Sequence, residues 1–305
     1  MKYIQLNGLN RDVSVIGAGC MRIARMTREE VSELVHTALD HGINFFDHAD
    51  IYGRGRSEEV FGEVFAAEPE LRDRMFLQTK CGINQGMFDF SKEHILEAVN
   101  GSLQRLGTDH VDSLLLHRPD ALMEPEEVAE AFTELCETGK VLSFGVSNQN
   151  PSQMELLKTA VKFPLTANQL QLSIAHTPLL DAGFNVDMAH DPAVMRDGGT
   201  LEYCRINKMA VQAWSPLQVG YFTGTFLANE AFGELNEKLN ELAEKYGVGT
   251  DSIAYAWILR IPGRMQVITG TTKAERLVHA AEAADIVLDR REWYDLYKAA
   301  GNRLP

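Results

Sequence analysis

The sequence predicts an α/β fold, a (β/α)8 TIM barrel entered through an N-terminal β-hairpin, with residues 1–305 forming a single domain. Three observations predict it. Eight short apolar runs alternate with stretches of helical period. Several of the runs end in a chemically useful polar side chain, at the face where parallel barrels keep their chemistry. No linker or low-complexity tract breaks the alternation.

The elements follow in order. Tyr3–Leu6 and Val13–Ile16 flank Asn7-Gly8-Leu9-Asn10, a hairpin that runs into the first barrel strand. Thr27-Arg28-Glu29-Glu30 is a capping box for an amphipathic helix carrying Leu34, Val35, Ala38 and Leu39, and Gly42 stops it. Ile43–Phe46 is the next strand. Helices at 58–67, 92–106 and 126–137 then alternate with strands at 75–79, 111–116 and 141–146. Asn150 caps a helix opened by Pro151 and expected to reach Val161. Strands at 165–169 and 209–213 lead to helices at 231–246 and 251–259, an eighth strand at 266–269, and closing helices at 273–284 and 289–300. The long polar stretch from Ile174 to Gly199 is expected to be a lid or substrate loop.

Composition narrows the function. With 43 acidic against 29 basic residues the net charge is −14, which argues against a general nucleic-acid or anionic-membrane surface. Cys20, Cys81, Cys136 and Cys204 are scattered without a C-x-x-C pair, so no disulfide framework or zinc knuckle is indicated. The N-terminus lacks the apolar core of a signal peptide, and no run is long enough to span a bilayer. The expectation is a cytoplasmic monomer acting on small molecules.

Asp47, Lys80 and His117 each close a predicted strand, and Tyr52 lies just beyond Asp47. Singly, a lysine after a strand is usually solvated, a lone histidine structural and a tyrosine packing. Together on one rim they form a set suited to carbonyl reduction. Hydride addition to a C=O leaves an alkoxide that needs a proton, and Tyr52 can donate it. At ~4 Å and an effective dielectric of ~20, a Lys80 ammonium favours phenolate by ~4 kcal/mol, or about three pKa units. That is expected to poise Tyr52 near neutrality, with Asp47 holding Lys80 and His117 orienting the substrate oxygen.

Asp47-x-Ala49-x-x-Tyr52-Gly53, Lys80, His117, Gly145-Val146-Ser147-Asn148 and Trp214-Ser215-Pro216-Leu217 resemble the signature set of the aldo-keto reductases. The forms H-A-D-I-Y-G, K-C-G and L-H-R-P-D most resemble the family's bacterial YdhF-like oxidoreductase branch. The resemblance implies an enzyme that interconverts aldehydes or ketones and alcohols, with Asp47, Tyr52, Lys80 and His117 catalytic. It implies NADPH as cofactor, NADH being the other option. Ser147, Asn148 and Gln169 would bind the nicotinamide carboxamide, Trp214 would stack on the ring, and Asp47 and Met21 would line its seat.

Ser215, Pro216, Leu217 and Gly220 form a loop able to wrap a pyrophosphate. Gly270, Thr271, Thr272, Lys273 and Arg276 gather hydroxyls, amides and cations at a helix start, and Arg276 can pair with a 2′-phosphate. Many family members carry Pro where Thr269 stands, and Glu-Asn where His279-Ala280 stand.

On the substrate side stand Met21, Tyr52, His117 and Arg118. Arg118 reads as an anion contact, or else as a rim ion pair with Asp120. Met87, Phe88 and Phe90 are an apolar wall or the packing of their own loop. The last helix lies close to Pro305, so the long C-terminal loop of steroid-type relatives is not expected and the site is expected to be open. Two other readings stay in view. One is a nicotinamide-cofactor-binding regulatory protein with little turnover. The other is a metal-dependent hydrolase using His48, Asp50 and His117, which leaves Lys80 and Trp214 without roles. The main reading calls for no metal.

Overall fold

The computed structural model describes residues 1–221 and 223–302. A hairpin of β1 (Tyr3–Gln5) and β2 (Asp12–Ser14) precedes β3 (Ile16–Gly19). The Thr27 capping box opens α1 (Arg28–Asp40), and Gly42, at a φ of +77° that glycine tolerates, turns the chain into β4 (Phe45–Asp47). Next come α2 (Arg56–Ala67) and β5 (Phe76–Cys81), from whose end rises a small hairpin of β6 (Ile83–Asn84) and β7 (Met87–Phe88). α3 (Lys92–Leu106), β8 (Ser113–Leu116), α4 (Pro125–Glu137), β9 (Phe144–Ser147), α5 (Pro151–Leu157) and β10 (Leu165–Gln171) continue the alternation. α6 (Pro178–Phe184) and α7 (Thr200–Ile206) precede β11 (Ala210–Trp214). α8 (Gly233–Tyr246) and α9 (Thr250–Leu259) precede β12 (Arg264–Thr269), and α10 (Ala274–Ala283) and α11 (Arg290–Ala299) follow it.

β3, β4, β5, β8, β9, β10, β11 and β12 pair in parallel in chain order, and β12 closes the barrel on β3. Helices cover the outside, so nearly every strand residue is buried on both faces. The hairpin plugs the floor of the barrel. Leu6 and Val13 pack on Phe45, Phe76, Ala167 and Ala210, and the Phe45 and Phe76 rings stack 5.2 Å apart. Above that apolar layer the interior turns polar with Gln78, Gln169, Gln212 and Gln266, and above the glutamines lie Asp47 and Lys80. The close fit of β3 against β12 requires glycine at the top. A Cβ on Gly19 would lie 2.4 Å from the Thr269 carbonyl oxygen.

Some elements depart from expectation. α5 stops at Leu157 and not Val161, because Thr159 and Ala160 bond back to Leu156 and Leu157 in a tight turn that leads to Pro164. The first part of the expected lid is instead α6. It docks on α11, with Phe184 against Trp293, Tyr294 and Tyr297, and with the Tyr297 hydroxyl 2.8 Å from Asp181 Oδ1. Phe90 is buried in its own loop, whereas Met87 and Phe88 are exposed. Pro305, and with it the expectation of an open site, lies outside the described residues.

Candidate active site

Asp47 is the last residue of β4, and its carboxylate is buried. Oδ2 accepts from Lys80 Nζ at 2.7 Å; Oδ1 accepts from Gln78 Nε2 at 2.7 Å and Gln169 Nε2 at 3.1 Å. Lys80, near the end of β5, is wholly buried and also donates to the His48 carbonyl at 2.7 Å and the Tyr52 hydroxyl at 3.1 Å. Burial opposes its charge, but Asp47 and Tyr52 outweigh it and raise the lysine pKa above the ordinary value.

Tyr52 begins a tight turn in which Gly53, Arg54 and Gly55 all take positive φ, and its ring lies 4.9 Å from Lys80 Nζ. The expectation of a phenol poised near neutrality is corrected here. Burial outweighs the pull of Lys80, with Asp47 adding to it, so the Tyr52 pKa lies above its ordinary value of 10. The physical reason is that Asp47 already compensates the ammonium, while the phenol has lost its water. Tyr52 is therefore a neutral, proton-bearing acid.

His117 follows β8, its ring edge-on to that of Tyr52 with centroids 6.0 Å apart. Its Nδ1 is buried without a partner. Burial, then Lys80 and Arg118, hold its pKa well below the ordinary 6.5, so the imidazole is neutral. The four side chains thus place a neutral phenol against a buried ammonium and beside a neutral imidazole. That arrangement can protonate a developing oxyanion and donate a further hydrogen bond to it.

His48 faces the other way. Its ring lies edge-on to Phe61 at 4.5 Å, both nitrogens are unpartnered, and burial with Lys80 pushes its pKa down to about 3. Among the described residues no group of three His, Cys, Asp or Glu is placed to hold a metal ion, so the hydrolase reading lacks its site.

The cofactor candidates lie on the same rim. Ser147 Oγ donates to the Gln169 carbonyl at 2.9 Å and accepts from Asn148 Nδ2 at 2.7 Å; Asn148 Oδ1 accepts from Trp214 Nε1 at 3.3 Å. Gln169 turns its amide nitrogen inward, to Asp47 and to Gln212 Oε1. Trp214 closes β11 half-buried, and Ser215, at a φ of +50°, starts the loop carrying buried Pro216 and half-buried Leu217 and Gly220. That loop is tied by Val219 N–H to the Gly224 carbonyl and Phe226 N–H to the Leu217 carbonyl.

β12 pairs with β11, so the loop after Thr269 lies alongside. Gly270, Thr272, Lys273 and Arg276 are exposed there, the Thr271 hydroxyl accepts from Lys273 N–H at 3.1 Å, and no side chain caps α10. The Thr269 hydroxyl is buried without a partner, and Arg276 has no carboxylate partner among the described residues. Uncapped amides, hydroxyls and an unpaired guanidinium fit a phosphate-bearing dinucleotide. Met21 is exposed at the mouth, and its carbonyl accepts from Ser57 Oγ at 3.5 Å.

Sequence reasoning missed Gln78, Gln212 and Gln266. Gln212 Nε2 donates to Gln266 Oε1 at 2.9 Å and Gln78 Oε1 at 3.2 Å, its Oε1 accepts from Gln78 and Gln169, and Gln266 donates to the Ser14 carbonyl. This ladder carries the Asp47 carboxylate on a floor of hydrogen bonds. The signal was a glutamine amid apolar residues in three separate strands. Gln212→Met should leave several buried amides short of partners, at about 1–3 kcal/mol for each group left unsatisfied. Urea unfolding would show it as a lower midpoint at unchanged slope. A midpoint equal to wild type would refute the ladder's role.

Comparison with known proteins agrees with this geometry. Residues 15–300 match the model of the Aldo/keto reductase family. The chain is 36% identical to Oxidoreductase YdhF of Escherichia coli K12 over 90% of its own length and 89% of the relative's. It is 34% identical to a 6-dehydroglucose reductase of Agrobacterium fabrum, over 95% of each chain. The crystal structure of an aldo-keto reductase from Klebsiella pneumoniae in complex with NADPH superposes with a TM-score of 0.78, at 26% identity, over 97% of this chain and 94% of that one.

Proposed function

This chain belongs to the aldo/keto reductase family, and from that premise we propose that it reduces aldehydes and ketones to alcohols with NADPH, Tyr52 giving the proton. The observation that carries the reading is the 3.1 Å hydrogen bond from Lys80 Nζ to the Tyr52 hydroxyl, with Asp47 at 2.7 Å from the same ammonium. NADPH, when bound, would supply the hydride that reaches the carbonyl carbon. Tyr52 passes its proton to the carbonyl oxygen as that oxygen becomes an alkoxide. Lys80 stabilises the phenolate left behind, and Asp47 keeps Lys80 charged. His117 donates an imidazole N–H to the substrate oxygen and fixes its direction.

Met21, Asp47, Ser147, Asn148, Gln169 and Trp214 would receive the nicotinamide end. Ser215, Pro216, Leu217 and Gly220 would follow the pyrophosphate. Gly270, Thr271, Thr272, Lys273 and Arg276 would take the adenosine phosphate. The unpaired Arg276 and the NADPH held by the Klebsiella protein support NADPH over NADH. On this reading the chain works in the cytoplasm as a monomeric catalytic unit. Its partner is a small-molecule carbonyl or alcohol, with neither nucleic acid nor membrane involved. Among the described residues no helix is long and apolar enough to cross a membrane.

The test is NADPH consumption by purified protein over a panel of aldehydes, ketones and dicarbonyls. Tight NADPH binding with no turnover of any of them would favour the regulatory reading. Arg276→Ala should raise the Kd for NADPH about tenfold or more, the worth of a charge-assisted hydrogen bond. NADH should be little affected, and equal losses for both cofactors would remove the basis for the NADPH preference.

A further inference from the structure

We propose that Arg118 selects carbonyl substrates that carry a carboxylate. The inference rests on the reductase reading and adds a substrate class to it. Arg118 follows His117 directly, so its Cα lies about 3.8 Å from that of the residue assigned to the substrate oxygen. The guanidinium lies over the Trp214 ring at 5.6 Å and the Tyr221 ring at 5.8 Å. The two rings, set edge-on to each other, flank the guanidinium without supplying a counter-charge.

The usual protein partner is absent. Asp120, the acid nearest in sequence, gives Oδ2 to Phe90 N–H at 2.9 Å and Oδ1 to Leu122 N–H at 2.8 Å. Among the described residues Arg118 has no ion pair. A half-buried guanidinium held without a counter-charge is an uncommon arrangement, because partial desolvation disfavours it.

The charge balance of the mouth points the same way. Lys80 is compensated by Asp47, Tyr52 keeps its proton and His117 is neutral. Arg118 therefore stands beside His117 as an uncompensated positive charge, on a chain whose net charge is −14. A carboxylate matches the guanidinium fork with two parallel hydrogen bonds. A substrate with an aldehyde or ketone at one end and a carboxylate at the other would be held at both, its carbonyl between Tyr52 and His117.

The experiment compares para-carboxybenzaldehyde with its methyl ester, which keeps the ring and the electron-withdrawing carbonyl but removes the charge. In the wild-type enzyme kcat/KM for the acid should exceed that for the ester about ten- to hundredfold, chiefly through KM. Arg118→Met should bring the ratio close to one, Arg118→Lys should fall between, and added salt should shrink the wild-type ratio. A wild-type ratio of one or less, or a ratio that Arg118→Met leaves intact, overturns the proposal.

Calorimetric titration of the acid into the NADP⁺-loaded protein reads the same contact without turnover. Affinity should drop at least tenfold in Arg118→Met, and equal affinity overturns the proposal. If neither acid nor ester is reduced, the reductase reading fails while the titration still decides the role of Arg118.

Discussion

Tyr52→Phe should lower kcat for carbonyl reduction about 10²- to 10⁴-fold, the usual contribution of a positioned general acid, while leaving the fold and NADPH affinity close to wild type. The reason lies in what the substitution removes and what it keeps. It deletes the hydroxyl that Lys80 Nζ approaches at 3.1 Å, but it keeps the ring that meets His117 and lies under the ammonium. Lys80 retains Asp47 and the His48 carbonyl, so no buried charge is orphaned. Because burial holds the Tyr52 pKa above 10, the donor carries its proton throughout the neutral range. Wild-type reduction should therefore show no loss of rate from deprotonation of the donor between about pH 6 and 9, and decline only in more alkaline solution. Stopped-flow measurement of the reductive step against pH would check both statements. A Tyr52→Phe enzyme within a few-fold of wild type would remove Tyr52 from the mechanism, and a fall in rate centred on neutral pH would restore the phenolate-poised picture.

The residues alone suffice for some of these features and not for others. The strand ends were legible because an apolar run that turns abruptly polar, as at Phe46-Asp47 and Leu116-His117, has few other causes in a parallel barrel. Local chemistry also located the helix starts, the Thr27 capping box and the Asn150 cap being self-contained. The titration of Tyr52 was not legible, since its sign depends on how far Asp47 neutralises Lys80 and how much water the fold removes. The same holds for α6. Its seven residues have no strong period of their own and are stabilised by Phe184 meeting the aromatic face of α11, a contact more than a hundred positions away. The glutamine ladder escaped notice because a single glutamine in a short strand is unremarkable until closure of the barrel brings four of them together.

Asp47→Asn carries the other large expected effect, and it is one of stability as well as rate. Lys80 is fully buried and, among the described residues, Asp47 at 2.7 Å is its only carboxylate partner. Removing that charge leaves a desolvated ammonium, and breaking a buried pair from one side costs about 3–5 kcal/mol. In the wild type the raised lysine pKa means that this ion pair stabilises the fold below the ordinary lysine pKa and ceases to do so as pH rises through the folded value. In the variant the sign reverses. Burial, the first influence on Lys80, is no longer offset by Asp47, so the folded pKa drops below the unfolded one. Asp47→Asn should then gain stability as pH rises from that depressed value toward the unfolded pKa of about 10.4, a window in which the wild type gains nothing from this lysine. Lys80→Met in the Asp47→Asn background removes the orphaned charge and should recover much of the loss, although neither protein would reduce carbonyls at an appreciable rate. Urea unfolding of wild type, Asp47→Asn, Lys80→Met and the double variant at neutral and alkaline pH closes the cycle. Losses that simply add, with no pH dependence in Asp47→Asn, would mean that the ammonium finds another partner or water. The buried pair would then not be what holds Lys80 against the phenol.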